Sequence, residues 1–195
     1  YKKKEVIFHS RSRTKTVYFV YSGEVMLYNL TKHGNRKVIF ILGKGRLLNQ
    51  SIVSKKPNAL FCEAACPVQI LEIAEEPFLH LMEQSHDLTR AVLREYERNL
   101  WRMGHQLKNT TGNMQMERKI AAKLWKLGRD FGVDTEDGVM IDIDLTITLM
   151  ADLVGAPREN VSRACKVLTD RGLICYGNKR FILIDFDGLA KFYKM

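Results

Sequence analysis

Leu145-Thr-Ile-Thr-Leu-Met-Ala-Asp-Leu-Val-Gly-Ala-Pro-Arg-Glu-Asn-Val-Ser-Arg-Ala-Cys-Lys-Val-Leu-Thr-Asp-Arg-Gly172 is the stretch that decides how this 195-residue chain is read. Thr146 or Thr148 can N-cap a short helix, because a hydroxyl oxygen accepts from the unpaired N–H groups of a first turn. Gly155 ends that helix, Pro157 opens the next with its φ already set, and Gly172 closes it. Leu149, Leu153, Val161, Ala164 and Leu168 recur at helical spacing and face inward. Two helices sharing one apolar side across a tight Gly-containing turn spell a helix-turn-helix. Two short strands, 173–176 and 180–184, flank Gly177-Asn178-Lys179 and predict a β-hairpin behind it, the wing of a winged helix.

Upstream, the first seventy-odd residues read as strands. Residues 5–9, 17–21, 24–30, 36–42, 60–65 and 68–73 are short runs rich in Val, Ile, Phe and Tyr. Ser22-Gly23, Lys32-His33-Gly34-Asn35, Gly43-Lys44-Gly45 and Lys56-Pro57-Asn58 separate them as turns. Many short strands at close spacing predict an antiparallel sandwich or barrel. Helical period then takes over, with a short helix over 76–84 and a longer one over 87–110. In the longer helix Leu93, Tyr96, Leu100, Met103 and Leu107 fall at steps of 3, 4, 3 and 4, the a/d seam of a dimerising helix. A helix packed on its own barrel is the other reading of that spacing. Arg90, Arg94, Arg98 and Arg102 form an i, i+4 row on another face, most simply a solvated one.

Asn109-Thr110-Thr111-Gly112-Asn113 ends the helix and supplies a hinge. Beyond it an amphipathic helix over 117–129 offers Ile120, Ala121, Leu124, Trp125 and Leu127 to a second core, and 139–143 alternates as a strand. The expected fold class is α+β. An antiparallel β-domain spans 1–86, a dimerisation helix and hinge 87–112, and a winged helix-turn-helix 113–195.

Composition sets the outer limits. At 46% hydrophobic and 27% charged residues the chain is globular, which argues against disorder, collagen and low complexity. Lys and Arg total 31 against 22 Asp and Glu, and the net charge of +9 suits a polyanionic partner. Nearly all of that excess lies before Gly112, so if the second half binds nucleic acid its basic residues must be placed locally. The longest unbroken apolar run, 38–42, is far short of the roughly 20 residues a membrane span needs. No charged-then-apolar signal opens the chain, and four cysteines (Cys62, Cys66, Cys165, Cys175) make no disulfide scaffold. A reducing, cytoplasmic setting without a membrane partner is expected. Because the chain opens on Tyr1 and not on Met, a preceding segment is expected too.

On the second helix of the opening stretch, Arg158, Glu159, Ser162 and Arg163 share roughly one face within two turns, the part of a recognition helix that reaches base edges. Arg can bond guanine O6 and N7 bidentately, Glu accepts from cytosine N4, and Ser takes either role or meets a thymine methyl. A solvated helix face with i, i+4 charge pairing is the plain alternative, and the Gly-turned helix pair with its hairpin weighs against it. Thr146, Thr148, Lys166, Lys179 and Arg180 fall where phosphate contacts are expected, which position a protein without reading sequence.

Over nearly its whole length the chain resembles the Crp/Fnr family of bacterial transcription regulators. Pro157-Arg-Glu-Asn-Val-Ser-Arg163, followed by Leu168-Thr-Asp-Arg-Gly-Leu-Ile174, is similar to that family's recognition helix and first wing strand. Val17-Tyr-Phe-Val-Tyr-Ser-Gly-Glu-Val25 is similar to its barrel hallmark, and Arg118-Lys-Ile-Ala121 to the helix opening its DNA-binding domain. The resemblance implies an N-terminal effector barrel, a jelly roll like that of cyclic-nucleotide-binding domains, then a dimerisation helix and a C-terminal winged helix. It implies a homodimer on double-stranded DNA, reading a palindromic operator whose half-sites lie about one helical turn apart, with RNA polymerase as a further partner. By position, Glu159, Ser162 and Arg163 match the E-x-x-S-R pattern of the FNR branch, which reads TTGA-type half-sites. Arg158 matches an additional arginine of the cyclic-AMP receptor branch. A TGA core is expected, and the base outside it stays open.

The effector is less legible. In the cyclic-AMP receptors a Gly-Glu pair holds the ribose and an Arg-Ser pair the phosphate; here Asn49-Gln50 and Asn58-Ala59 lie near those places. Gly104-His105 matches the Thr-Ser pair of the dimer helix. No arginine is left to neutralise a cyclic phosphate, so the unknown small-molecule effector is expected not to be cyclic AMP, and Asn49, Gln50, Asn58, Gly104 and His105 are the candidate pocket residues. The position of the FNR cluster cysteine falls on Leu71, which disfavours that iron–sulfur cluster. Cys62 and Cys66, read as strand residues, would lie about 13 Å apart, too far for a disulfide. They, Cys165 and Cys175 are read as packing residues. His9, His33, His80, His86 and His105 are dispersed, so no metal or other cofactor is expected. Two rivals remain: a constitutive DNA-binding member whose barrel is structural, and a barrel enzyme with an appended DNA-binding module.

Overall fold

A computed structural model describes residues 1–110 and 114–194, by backbone alone over 108–110. Six strands open the chain: Val6–Phe8 (β1), Thr16–Ser22 (β2), Val25–Leu30 (β3), Arg36–Leu42 (β4), Phe61–Ala64 (β5) and Gln69–Ala74 (β6). Their bounds lie within about one residue of the expected runs. They form a four-stranded sheet in the order β1-β5-β3-β4 and a two-stranded sheet of β2 with β6. Within these sheets β1 and β3 pair antiparallel with β5, and β2 with β6. The other edge of β2 is completed by the segment after β4, where Val20 N–H donates to Arg46 O (3.0 Å), Gly45 N–H to Val20 O (2.8 Å) and Leu48 N–H to Tyr18 O (2.9 Å).

β2 is apolar on both faces, and its period-2 alternation sorts its residues between two cores. Tyr18 and Val20 join Phe8, Val25, Leu27, Phe40, Leu42, Cys62 and Ala64 between the sheets. Val17 and Phe19 face the other way, onto two helices, Glu75–Gln84 (α1) and His86–Thr110 (α2). Phe78 of α1 and Val92 of α2 are buried there beside Leu47 and Ile52. Arg46 Nε donates to Glu95 Oε1 (2.5 Å) and its Nη2 to Asn99 Oδ1 (3.2 Å), while Gln106 Nε2 donates to Ile39 O (2.8 Å). One long face of α2 is thereby held against the β-domain. Arg102, expected on a solvated row, is 7% exposed with its guanidinium 5.1 Å from the centre of the Phe40 ring. Arg90, Arg94 and Arg98 are exposed as expected.

The remaining elements are Met116–Phe131 (α3), Gly132–Thr135 (β7), Gly138–Ile141 (β8), Ile147–Val154 (α4), Arg158–Asp170 (α5), Ile174–Gly177 (β9), Arg180–Leu183 (β10) and Phe186–Lys194 (α6). The wing is one half of a four-stranded antiparallel sheet, β7-β8-β10-β9. β7 and α6 are additional to the expected elements. α3 buries Ile120, Ala121, Leu124 and Leu127 as expected, with Ala122 and Gly128 added. A methyl group on Gly128 would lie 2.5 Å from Leu183 Cδ1 and 3.0 Å from Phe186 Cε2, so only glycine lets β10 and α6 approach this closely. Trp125 is half-buried against Phe186 and Tyr193, each 5.8 Å between ring centres.

The chain divides into two compact units, Tyr1–His33 with Val38–Lys108, and Gly34–Lys37 with Asn109–Met195. The expected hinge falls largely on residues 111–113, outside the described residues, and the boundary at 112 lies there with it. Leu168 is fully buried beneath α5. Leu168→Ala is expected to destabilise the C-terminal unit by about 2–5 kcal/mol, measured by denaturant titration of the full chain. A loss below about 1 kcal/mol would mean that α5 is not anchored as described.

Candidate nucleic-acid interface

Local signals build the helix pair. Thr146 is the N-cap of α4, its Oγ1 accepting from Leu149 N–H at 3.1 Å, and Thr148 stands exposed within the first turn. Gly155 terminates α4 at φ 70°, ψ 48°, a left-handed position in which a side chain is disfavoured. Its N–H donates to Ala151 O at 2.8 Å. Pro157 follows as the residue before α5, its carbonyl accepting from Asn160 and Val161 N–H. Val161, Ala164, Cys165 and Leu168 are buried, which turns Arg158, Glu159, Ser162, Arg163 and Lys166 to the exposed side. The structure thus brings the four expected base-reading residues and one expected phosphate contact onto a single exposed helix face.

Two further residues engage the expected contacts, one on α5 and one beside the wing. Asn160 Oδ1 accepts from Arg163 Nη2 at 2.6 Å. Asp142 forms an ion pair with Arg180, an expected phosphate contact, whose guanidinium is therefore engaged from within the unit. The first had a readable signal, since residues three apart on a helix are neighbours. The second joins positions 38 apart and had none. Lys179 sits exposed at the wing tip, where Asn178 and Lys179 both take positive φ, 50° and 61°, as a two-residue hairpin turn of the primed type requires. Lys179 O accepts from Leu145 N–H at 2.8 Å, which ties the wing tip to the residue just before the N-cap of α4.

The expected dimer seam divides. Leu93, Leu100, Met103 and Leu107 are exposed, at 54%, 71%, 46% and 62%, and Trp101 beside them at 58%. Tyr96 turns the other way and packs with the core shared by β2, α1 and α2, as a helix packed on its own barrel requires of that residue. Burial pushes the Tyr96 hydroxyl up to about 12, and among the described residues it has no hydrogen-bond partner.

The expected effector residues do not share one environment. Asn49 is buried with its amide used by the β-domain: Oδ1 accepts from Tyr18 N–H (2.8 Å) and Nδ2 donates to Thr16 O (2.9 Å). Gln50 Nε2 donates to Leu48 O, and its Oε1 accepts from Ala59 N–H at 3.1 Å. Asn58 is buried, and its Nδ2 has no hydrogen-bond partner among the described residues. Gly104 and His105 are exposed on α2, where His105 lies 4.0 Å from the Trp101 ring.

Cys62 and Cys165 are buried, as packing residues should be. Cys66 lies beyond the end of β5, half-buried, with Sγ donating to Glu24 Oε2 at 2.8 Å, so it is not the strand residue the sequence suggested. Cys175 is exposed on β9 and has no packing role. Among the described residues no three His, Cys, Asp or Glu side chains gather as metal ligands do, and no helix is long and apolar enough to cross a membrane.

A helix-turn-helix with a tethered wing, joined in sequence to a β-domain and a long helix, is the architecture of a winged-helix protein with a separate N-terminal β-domain. Residues 1–85 match the cyclic nucleotide-binding domain and residues 118–192 the Crp-like helix-turn-helix domain. The chain is 23% identical to the global nitrogen regulator of Nostoc sp. over 183 residues, 92% of this chain and 82% of that one. It is 24% identical to the cAMP-activated global transcriptional regulator CRP of Pasteurella multocida over 186 residues, 94% and 88% of the two. Its fold matches that of FixK2 from Bradyrhizobium japonicum with a TM-score of 0.84 at 20% identity, covering 98% of this chain and 93% of that one. The chain belongs to the Crp/Fnr family of DNA-binding transcription regulators. The matched families and relatives are regulators and not enzymes, which sets the barrel-enzyme reading aside.

Two outcomes follow from this geometry. Asn49→Ala leaves the buried Tyr18 N–H without its acceptor, and a loss of about 1–3 kcal/mol in the thermal or denaturant stability of the N-terminal unit is expected. Burial pushes the Cys165 thiol up to about 11, so near neutral pH it stays protonated and unreactive. Alkylation followed by peptide mass mapping should modify exposed Cys175 well before Cys165, with the difference lost in concentrated guanidinium.

Proposed function

We propose that this regulator acts as a homodimer that reads a palindrome with TGA-core half-sites through α5, under the control of a small ligand other than cyclic AMP in its N-terminal domain. The observation that carries the reading is the exposed face of α5, where Arg158, Glu159, Ser162 and Arg163 lie outward over a fully buried apolar stripe. Arg158 and Arg163 offer bidentate donors to guanine, Glu159 an acceptor to cytosine N4, and Lys166, Lys179 and Thr148 donors to phosphates. The exposed residues Leu93, Leu100, Met103 and Leu107 support pairing of α2 with a second copy, since an uncovered apolar row on a long helix is ordinarily buried by a partner. Ligand in the N-terminal domain would shift α2 and so the spacing of the two recognition helices. RNA polymerase is the partner through which bound DNA becomes a change in transcription.

One observation favours a second reading. The amides of Asn49 and Gln50 are used by the domain's own backbone, which suits a constitutive member whose N-terminal domain is structural.

Fluorescence anisotropy of dialysed protein on a labelled TTGA–TCAA palindrome, against a scrambled duplex at one fixed salt concentration, tests both. Tight binding to the palindrome without any additive selects the constitutive reading. Weak, salt-sensitive binding to both duplexes, made specific by a metabolite, selects the ligand-controlled one. Arg163→Ala should cost about 1–3 kcal/mol on the specific site and little on the scrambled duplex. Leu100→Lys should shift the protein from dimer to monomer in sedimentation velocity, and an unchanged sedimentation coefficient would remove α2 as the dimer seam.

A further inference from the structure

Arg163 is exposed, carries a long flexible side chain, and still has a fixed partner. Its Nη2 donates to the side-chain oxygen of Asn160, one turn earlier on α5, at 2.6 Å. A guanidinium only donates, so the atom facing it must be the amide oxygen, and that settles which way the Asn160 amide points. Asn160 Nδ2 is then the end turned away from Arg163. One of the five guanidinium donors is occupied, leaving enough for a bidentate contact to guanine O6 and N7.

We propose that Asn160 is a positioning residue for base reading, orienting the Arg163 guanidinium before DNA arrives. The inference rests on the reading of α5 as the recognition helix and adds a residue to it. Ordering a long exposed side chain when it docks is a cost of binding, and a side chain already held by a neighbour loses less freedom at that moment. The chemistry of the holder matters. A carboxylate at 160 would form an ion pair with Arg163 and set a negative charge beside DNA phosphates, whereas a neutral amide orients the cation and leaves its charge unopposed. Asn160 is on the exposed side of the helix while Val161 next to it is buried, so its side chain contributes nothing to the core and can be removed without disturbing it.

The test uses the full-length chain and duplexes that the wild-type protein selects from a randomised pool, so that no half-site is assumed. Binding of wild type, Asn160→Ala, Arg163→Ala and the double variant is measured on the selected duplex and on a scrambled one, with far-ultraviolet circular dichroism as the check on folding. Asn160→Ala is expected to weaken binding to the selected duplex about 3- to 10-fold, the loss that ordering one long side chain brings. It should leave scrambled-duplex binding unchanged and cause no further loss once Arg163 is already Ala. Equal weakening on both duplexes would make Asn160 a phosphate contact and overturn the proposal. So would a normal Asn160→Ala variant beside a defective Arg163→Ala one, or an undiminished loss in the double variant. If Arg163→Ala itself binds normally, α5 does not read bases as proposed, and that failure is distinguishable from the others because it appears without any change at 160.

Discussion

What the C-terminal unit can present to a partner depends on the burial of one narrow stripe on α5. Val161, Ala164, Cys165 and Leu168 are each 5% exposed or less. Burying a single Val or Leu side chain is worth about 1.5–3 kcal/mol, whereas a surface charge pair on the same helix contributes about 0.2–0.5 kcal/mol. The apolar stripe therefore sets the rotation of the helix about its axis, and the polar residues take whatever directions remain. Arg158, Glu159, Ser162, Arg163 and Lys166 point outward because the stripe leaves them no alternative. The left-handed turn at Gly155 and the capping hydroxyl of Thr146 then fix where along the chain this face begins.

In the N-terminal unit the comparable constraint is that α2 has two apolar faces. One is satisfied within the unit, where Val92 and Tyr96 pack on the core shared with β2, and Arg46, Gln106 and Arg102 fasten the helix to the β-domain through Glu95, Asn99, Ile39 O and the Phe40 ring. The buried Arg102 is tolerable because its charge lies over an aromatic face, a favourable place for a guanidinium. The other face keeps Leu93, Leu100, Met103 and Leu107 outside. Polar fastening of one face makes the helix stiff along its length, and a stiff helix with an uncovered apolar row is suited to meeting a second surface without rearranging its own.

Much of this was legible in the sequence, and the residues that were not share a physical reason. Gly155, Pro157 and Gly172 declared the helix-turn-helix because each marks a backbone conformation that its own covalent structure favours. The six N-terminal strands declared themselves by short runs of branched and aromatic residues. β7 did not, since Gly132–Thr135 has a single large apolar residue and is exposed throughout, and it exists by pairing with β8. Its only signal was Asp137-Gly138 at the turn. α6 was hidden by its shortness and by Asp185 and Asp187 at its start, although Asp185 Oδ1 accepts from Gly188 N–H exactly as a cap would. Tyr96 and Arg102 face the β-domain and not the expected seam and solvated row, because a helix with apolar residues on two sides has no single period to read. The amide of Asn49 was read as a ligand contact when it serves Tyr18 and Thr16, more than thirty residues away, and separations of that size leave no trace in local pattern.

The charge distribution of the second half, which on its net value gives no hint of nucleic acid, becomes intelligible at this level. Its carboxylates are not spread evenly over its cations. Asp142 is paired with Arg180 at the wing and Asp130 with Lys126 on α3, at 2.9 Å in the latter case. On α5 the cations outnumber the carboxylate beside them: Arg163 is held by a neutral amide, and Arg158 and Lys166 stand exposed on the same side as Glu159. Pairing of carboxylates with cations elsewhere in the unit cancels charge in the total without cancelling it on the exposed face of α5. At physiological salt the Debye length is about 8 Å, so a phosphate beside α5 responds chiefly to the charges on that face and little to the balance of the whole unit. Local placement of charge, and not its sum, is the quantity that gives this face of α5 its positive character.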